Sequence, residues 1–152
     1  MASLLEEFTS LIAAFNKEQI EYAVCGGLAM AIHGFTRATV DIDLLIEQDS
    51  LEKAFSVASG EGYDIHGLDI SFKERAVEIR RVSKIDSDGE VLSLDLLLVT
   101  PQVQEVWDSR EPLDFQGAKL FVVSRGGLRK MKELAGRPQD IADIERLDNE
   151  ES

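Results

Sequence analysis

Asp41 and Asp43 stand one residue apart in TVDIDLLI, a stretch in which Val40, Ile42, Leu44 and Ile46 alternate with them. A strand repeats every two residues, so both carboxylates are expected on one face, roughly 7 Å apart along the backbone, with the apolar set buried on the other. Like charges so placed repel. A hard cation such as Mg²⁺ between their oxygens relieves the repulsion and keeps coordination positions for water and phosphate oxygens. Upstream, Gly26-Gly27 ends the short apolar run EYAVC and opens LAMAIHG, which predicts strand, tight turn and short helix. No side chain at the glycines blocks a close approach, and the first N–H groups of the helix would face a triphosphate. A third carboxylate, Asp95 in VLSLDLLLV, shares a strand face with Ser93, Leu97 and Val99. A lone charge in so apolar a strand needs a metal or an ion-pair partner, for which Arg80 and Arg81 are the candidates. On residue types alone, a solvent-facing strand edge for Asp41 and Asp43 and an ordinary turn for the glycines remain the alternatives.

Other residues carry weaker signals. Arg37, in the turn before the DxD strand, either reaches a phosphate or pairs with surface acid. Lys132 sits on a late helix and either points at nucleotide or lies on a solvated face. Arg137, Asp140 and Asp143 fall at the start of the last helix, where capping and dipole effects explain them. His33 and His66 lack ligand spacing for zinc, and Cys25 and Trp107 read as core residues.

The elements that must position these residues follow from patterning. Leu4, Leu5, Phe8, Leu11, Ile12 and Phe15 recur at helical spacing from Ala2 to about Asn16. Asp49 or Ser50 is placed to cap a helix running to about Ala58. Ala76 to Lys84 and Val91 to Val99 are β-prone runs joined through Asp88-Gly89, and a second hairpin through Gln116-Gly117 joins Leu113–Phe115 to Lys119–Val123. Pro101 opens a short helix. Ser124 caps another that Gly136 stops, and Pro138 opens the last, with a polar tail from about residue 148. Helices alternating with a mixed set of strands predict an α/β (α+β) fold with helices packed on a mixed sheet.

The chain of 152 residues suits one domain, residues 1–152, with enough apolar content for a core. Sixteen Lys and Arg against 29 Asp and Glu give a net charge of −13, which disfavours nucleic acid as a partner. A single cysteine, an acidic start and the lack of a long apolar run point to the cytoplasm and away from a membrane.

With Gly26, Gly27, Asp41, Asp43 and Asp95 in hand, the chain resembles the nucleotidyltransferase superfamily with the DNA polymerase β-like catalytic fold, in particular its small bacterial members. That family's pattern is an apolar residue, Gly-Gly or Gly-Ser, a spacer, Asp-apolar-Asp, and a later Asp on a neighbouring strand. RATVDIDLLI and LRKMKELAGRPQDIADIERL also resemble the abortive-infection nucleotidyltransferases and related antitoxins. Gly27 departs from the pattern, because many active members carry Ser there. The resemblance implies transfer of a nucleoside monophosphate from an NTP such as ATP to a hydroxyl, with two Mg²⁺ ions. Asp41 and Asp43 would hold both ions, and Asp95 would bind the catalytic one and help deprotonate the acceptor. Gly26, Gly27, Arg37 and Lys132 would contact the nucleotide. The acceptor would be a protein, as in the antitoxins, or a small hydroxylated molecule. The alternative is a non-catalytic module of the same fold that neutralises a small helical toxin by binding it. The base, the acceptor and any oligomeric state stay open.

Overall fold

The computed structural model describes residues 3–35 and 39–149. Among these, eight strands form one mixed sheet: β1 (Ala23–Cys25), β2 (Asp41–Ile46), β3 (Ile65–His66), β4 (Ile70–Phe72), β5 (Val77–Ile85), β6 (Val91–Leu98), β7 (Glu111–Phe115) and β8 (Ala118–Val122). The spatial order is β3-β5-β6-β2-β1-β8-β7, with β4 also paired to β5. β2 runs parallel to β6 and antiparallel to β1, and β1 runs parallel to β8. Both expected hairpins form, β5 with β6 and β7 with β8. The turn of the second places Gln116 and Gly117 at positive φ.

Six α-helices also lie among the described residues: α1 (Leu4–Lys17), α2 (Gly26–Ile32), α3 (Leu51–Gly60), α4 (Gln104–Asp108), α5 (Arg125–Ala135) and α6 (Pro138–Asn149). α1 buries Phe8, Leu11, Ile12 and Phe15, and packs on β2, β8 and α3. The ion pair from Lys84 Nζ of β5 to Glu7 Oε1 of α1, at 2.7 Å, fixes which sheet face α1 covers. Lys84, Val82, Leu94, Ile42 and Leu44 belong to that face by strand alternation and register. The opposite face, with Arg81, Asp95 and Asp43, looks toward α5 and the turn into α6. Ser124 caps α5 through its hydroxyl, which accepts from the Gly127 N–H, and Gly136 ends the helix in the left-handed conformation, at φ 63°.

Several sequence expectations need correction. β2 was expected to bury one side only. It is central in the sheet, and Leu45, on the same side as the aspartates, is as fully buried as Leu44. Val40, assigned to the apolar face, precedes the strand and is 76% exposed. Neither Asp49 nor Ser50 caps α3 with its side chain, because a 3₁₀ turn at Gln48–Ser50 leads into the helix instead. Asp148 and Asn149, expected in a polar tail, are helical, and Asp148 pairs with Arg129 of α5, Nε to Oδ1 at 2.8 Å. No helix among the described residues is long and apolar enough to cross a membrane.

The doubly covered β2 sets an expectation for Leu45→Ala. Truncating a fully buried leucine leaves a cavity and should cost about 2 to 5 kcal/mol in chemical denaturation. A loss of only a few tenths would mean that the carboxylate side of β2 is solvent-facing.

Candidate active site

Sheet register assembles the site in a single cross-strand row. Arg81 of β5 stands opposite Asp95 of β6, Asp95 opposite Asp43 of β2, and Asp43 opposite Cys25, the last residue of β1. One row along the strands, Asp41 pairs with Ser93, and Ser93 with Ser83 through a buried hydroxyl–hydroxyl hydrogen bond of 2.9 Å. In the other direction the row becomes apolar, with Ile79, Leu97 and Leu45. All three carboxylates therefore share a face, and the two on β2 and β6 that face each other directly are Asp43 and Asp95. A one-residue slip of either strand would move its carboxylates to the opposite side of the sheet.

The electrostatics follow from that crowding. The carboxyl of Asp43 is pushed up from the ordinary 3.8 to about 7, first by burial, then by Asp95 and Asp41, with a hydrogen bond to Asp95 acting in the same sense. Arg137, across the cavity, opposes the shift. Asp41 is also raised, by burial, against the pull of Arg81. Among the described residues, Arg81 is the guanidinium in contact with the cluster: its Nε donates to Asp95 Oδ1 at 2.7 Å and its Nη2 to Asp95 Oδ2 at 2.9 Å, with Asp41 Oδ2 at 3.4 Å from the same Nη2. These bonds raise the arginine's own pKa. Of the two partners the sequence offered for Asp95, the structure selects Arg81. Arg80 lies on the opposite face and pairs with Glu78 and Asp69.

At Gly26 the backbone comes close to the Asp43 carboxylate. It has φ 66°, and a Cβ there would overlap the Asp43 carboxylate. The positive φ and the close approach both call for glycine. Gly27 is different from expectation. It is buried, and a Cβ on it would lie 2.7 Å from Thr39 Oγ1, so its small size serves packing against the loop before β2 as well as any approach of phosphate. No side chain caps the start of α2.

A cavity of about 270 Å³ lies over this row. Gly26, Gly27, Thr39, Asp41, Asp43, Asp95 and Arg81 line its polar side. Val77, Ile79 and Leu97 of the sheet and Met131, Leu134 and Ala135 of α5 line its apolar side, and Arg137, Gln139 and Asp140 stand at the α5–α6 turn. Arg37 lies outside the described residues.

Lys132 corrects the solvated-face reading: it is 4% exposed and among the residues lining the cavity, and its Nζ sits 2.8 Å from Asp143 Oδ2 and 3.8 Å from Asp140 Oδ1. Asp140 also accepts from Arg137, from the backbone N–H at 3.2 Å and from Nε at 2.7 Å. Capping accounts for part of Asp140, as expected. The buried charge network joining α5 to α6, and the delivery of Arg137 to the cavity, were missed. The i, i+3 spacing of Asp140 and Asp143, with a lysine one helix earlier, was the available signal.

The residues fit a divalent cation at Asp41 and Asp43: negative charge is crowded there, one carboxyl is held up by its neighbours, and the backbone beside it lacks a Cβ. Asp95 is committed to Arg81. Among the described residues no three carboxylate, thiolate or imidazole groups converge as a ready-made centre.

No protein-family model and no curated protein matches the sequence. Solved structures do match. A Thermotoga maritima protein, TM1012, assigned provisionally as a nucleotidyltransferase, is 14% identical over 97% of this chain and 93% of its own, with a TM-score of 0.67. The lincosamide antibiotic adenylyltransferase LnuA, solved with lincomycin, is 15% identical over 95% and 96%, with a TM-score of 0.60. ANT(2″)-Ia, solved with adenylyl-2″-tobramycin, is 14% identical over 92% and 84%, with a TM-score of 0.59. The chain thus has the fold of the nucleotidyltransferase structures, a mixed sheet with helices packed against it.

The raised Asp43 makes stability depend on pH. Its folded value of about 7 lies above the ordinary 3.8, so the stabilisation is complete below pH 3.8 and is lost as pH rises to about 7. Asp43→Asn should flatten this decline in metal-free protein and be the more stable at pH 8, as read by urea denaturation across pH. An unchanged slope would show that Asp43 is an ordinary carboxylate. Lys132→Met should cost about 3 to 5 kcal/mol, because it removes the buried cation that bonds Asp143 and lies near Asp140. Near-neutral stability with a lost ligand affinity would instead make Lys132 a binding residue.

Proposed function

We propose that the protein is a Mg²⁺-dependent nucleotidyltransferase that moves a nucleoside monophosphate from an NTP to a hydroxyl of a small molecule. The observation that carries the reading is the carboxylate row on the cavity floor: Asp41 and Asp43 on one strand, Asp95 directly opposite Asp43 on the next, and Gly26 against Asp43. A protein that needed these residues only for folding would gain nothing from like charges crowded until one holds its proton.

Asp41 and Asp43 are the proposed ligands of the cation that carries the triphosphate. Asp95 is proposed to serve the second cation on the acceptor side and to help draw the proton from the attacking hydroxyl. Bound Mg²⁺ supplies charge neutralisation on the phosphates and a more acidic hydroxyl, as in other in-line displacements assisted by two metals. The turn at Gly26 and Gly27 lies on the β1 side of the carboxylates and is proposed to receive phosphate, with Arg37 as a further candidate contact. Lys132 acts at one remove, by holding α6 and with it Arg137 at the cavity edge.

A small acceptor is favoured over a toxin protein because the cavity is a cleft between the sheet and α5, and an apolar wall lies on the β5 and β6 side, beyond Asp95 as seen from the glycines. LnuA and ANT(2″)-Ia, the fold neighbours named for antibiotic chemistry, support the same choice. The antitoxin role remains the alternative for a chain that binds no nucleotide.

NTP and Mg²⁺ together should raise the melting temperature, whereas NTP in chelator should hardly do so, because unscreened carboxylates repel the triphosphate. At a hundredfold excess over the dissociation constant the stabilisation is about 2.7 kcal/mol. Equal melting temperatures at millimolar NTP·Mg²⁺ would contradict the enzyme reading and favour a binding module.

A further inference from the structure

Arg81 occupies a distinctive position among the charges. Both of its bonds to Asp95 are short and form a two-pronged fork, and the same Nη2 leans to Asp41. The guanidinium therefore sits between the carboxylates of Asp95 and Asp41, where an ion bridging those two groups would have to lie. Its side chain is 41% exposed, whereas that of Asp95 is 10% exposed. The carboxylate is fixed in the sheet. The arginine is held by charge and hydrogen bonds more than by packing.

We propose that Arg81 is a built-in counterion that holds the cation position at Asp95, so that a divalent cation gains Asp95 only by displacing its guanidinium into the cavity. The inference rests on the cation-assisted reading above. Two positive groups cannot share the carboxylates at full strength, since they repel at contact distance in a partly dry site. Without the guanidinium, three carboxylates would share one face, with the more distant Arg137 acting on Asp43. A tethered cation answers that repulsion in the empty protein, and an exchangeable one answers it in the loaded protein. Asp43, which shares no hydrogen bond with Arg81, keeps its place for a first cation with Asp41. On this view the two cation positions are unequal: one is open, and the other is gated by an arginine. Arg81 is a positioning residue, acting on Asp95.

The test is Mn²⁺ binding followed by electron paramagnetic resonance of the free ion, with no nucleotide and no activity readout. Wild type is compared with Arg81→Gln, Arg80→Gln and the double variant Arg81→Gln/Asp95→Asn. Arg81→Gln should bind Mn²⁺ about tenfold more tightly, equivalent to about 1.4 kcal/mol. Arg80→Gln removes the same charge from the next residue on the opposite face and should bind like wild type. The double variant, which removes both halves of the pair and so avoids stranding either, should lose the gain. Equal or weaker binding by Arg81→Gln overturns the proposal. So does a gain that survives loss of Asp95, or one matched by Arg80→Gln, since each would report general charge and not displacement. Mn²⁺ that binds none of the proteins overturns it as well. The proposed nucleotide activity is judged separately, by the melting of wild type with NTP·Mg²⁺.

Discussion

Asp43 and Asp95 face each other on neighbouring parallel strands, with Asp41 two residues away on the same side, and most of what surrounds them answers the repulsion this creates. Three responses coexist. Asp43 keeps a proton to unusually high pH, because burial and two carboxylate neighbours penalise its charge. Asp95 takes a bidentate guanidinium from the next strand. Arg137 approaches from the helical layer and pulls Asp43 the other way. A proton, a tethered cation and a distant cation together hold an arrangement that an exchangeable divalent cation would satisfy at closer range.

The scaffold serves that row. β2 and β6 lie inside the sheet, so flanking strands hold their register and both faces are covered. The glycine at the end of β1 is forced by the same geometry, since a side chain at Gly26 would overlap the Asp43 carboxylate. On the cavity side, α5 and α6 are joined by the Lys132, Asp143 and Asp140 network, which is buried and fully ionic in type. Such a network adds little net stability over an apolar core, but breaking it is costly, so it acts as a clamp on the angle between the helices. Asp140 extends that clamp to Arg137 and so to the cavity edge.

Much of this was legible in the residues. Alternation in TVDIDLLI put Asp41 and Asp43 on one face, and hairpin signals at Asp88-Gly89 and Gln116-Gly117 joined the right strands. Asp95 stood out as a charge in an apolar run, and both answers to that problem, a basic partner and a metal, were foreseeable. What patterning could not supply was register. Arg80 and Arg81 are equal candidates in sequence, and only the pairing of β5 with β6 decides that Arg81 shares the face of Asp95. The solvated-face reading of Lys132 failed for a related reason: a lysine amid polar helical neighbours reads as exposed, and its burial depends on where α6 returns, which is a tertiary fact. The expected one-sided burial of β2 failed because alternation of that kind describes an edge strand or a half-covered one, and β2, with Leu45 buried beside the aspartates, is neither.

The most direct test of the account is the titration of the Asp43 side-chain carboxyl by carbon-13 NMR, run in chelator and again with saturating Mg²⁺ and a non-hydrolysable NTP. Crowded carboxylates with a cation site between them predict a midpoint near 7 in chelator. With the cation and nucleotide bound, that midpoint should fall by several units, because the charged form then has a ligand to hold. A midpoint near 4 in both conditions would contradict the account, since it would mean that Asp43 feels neither its neighbours nor a metal.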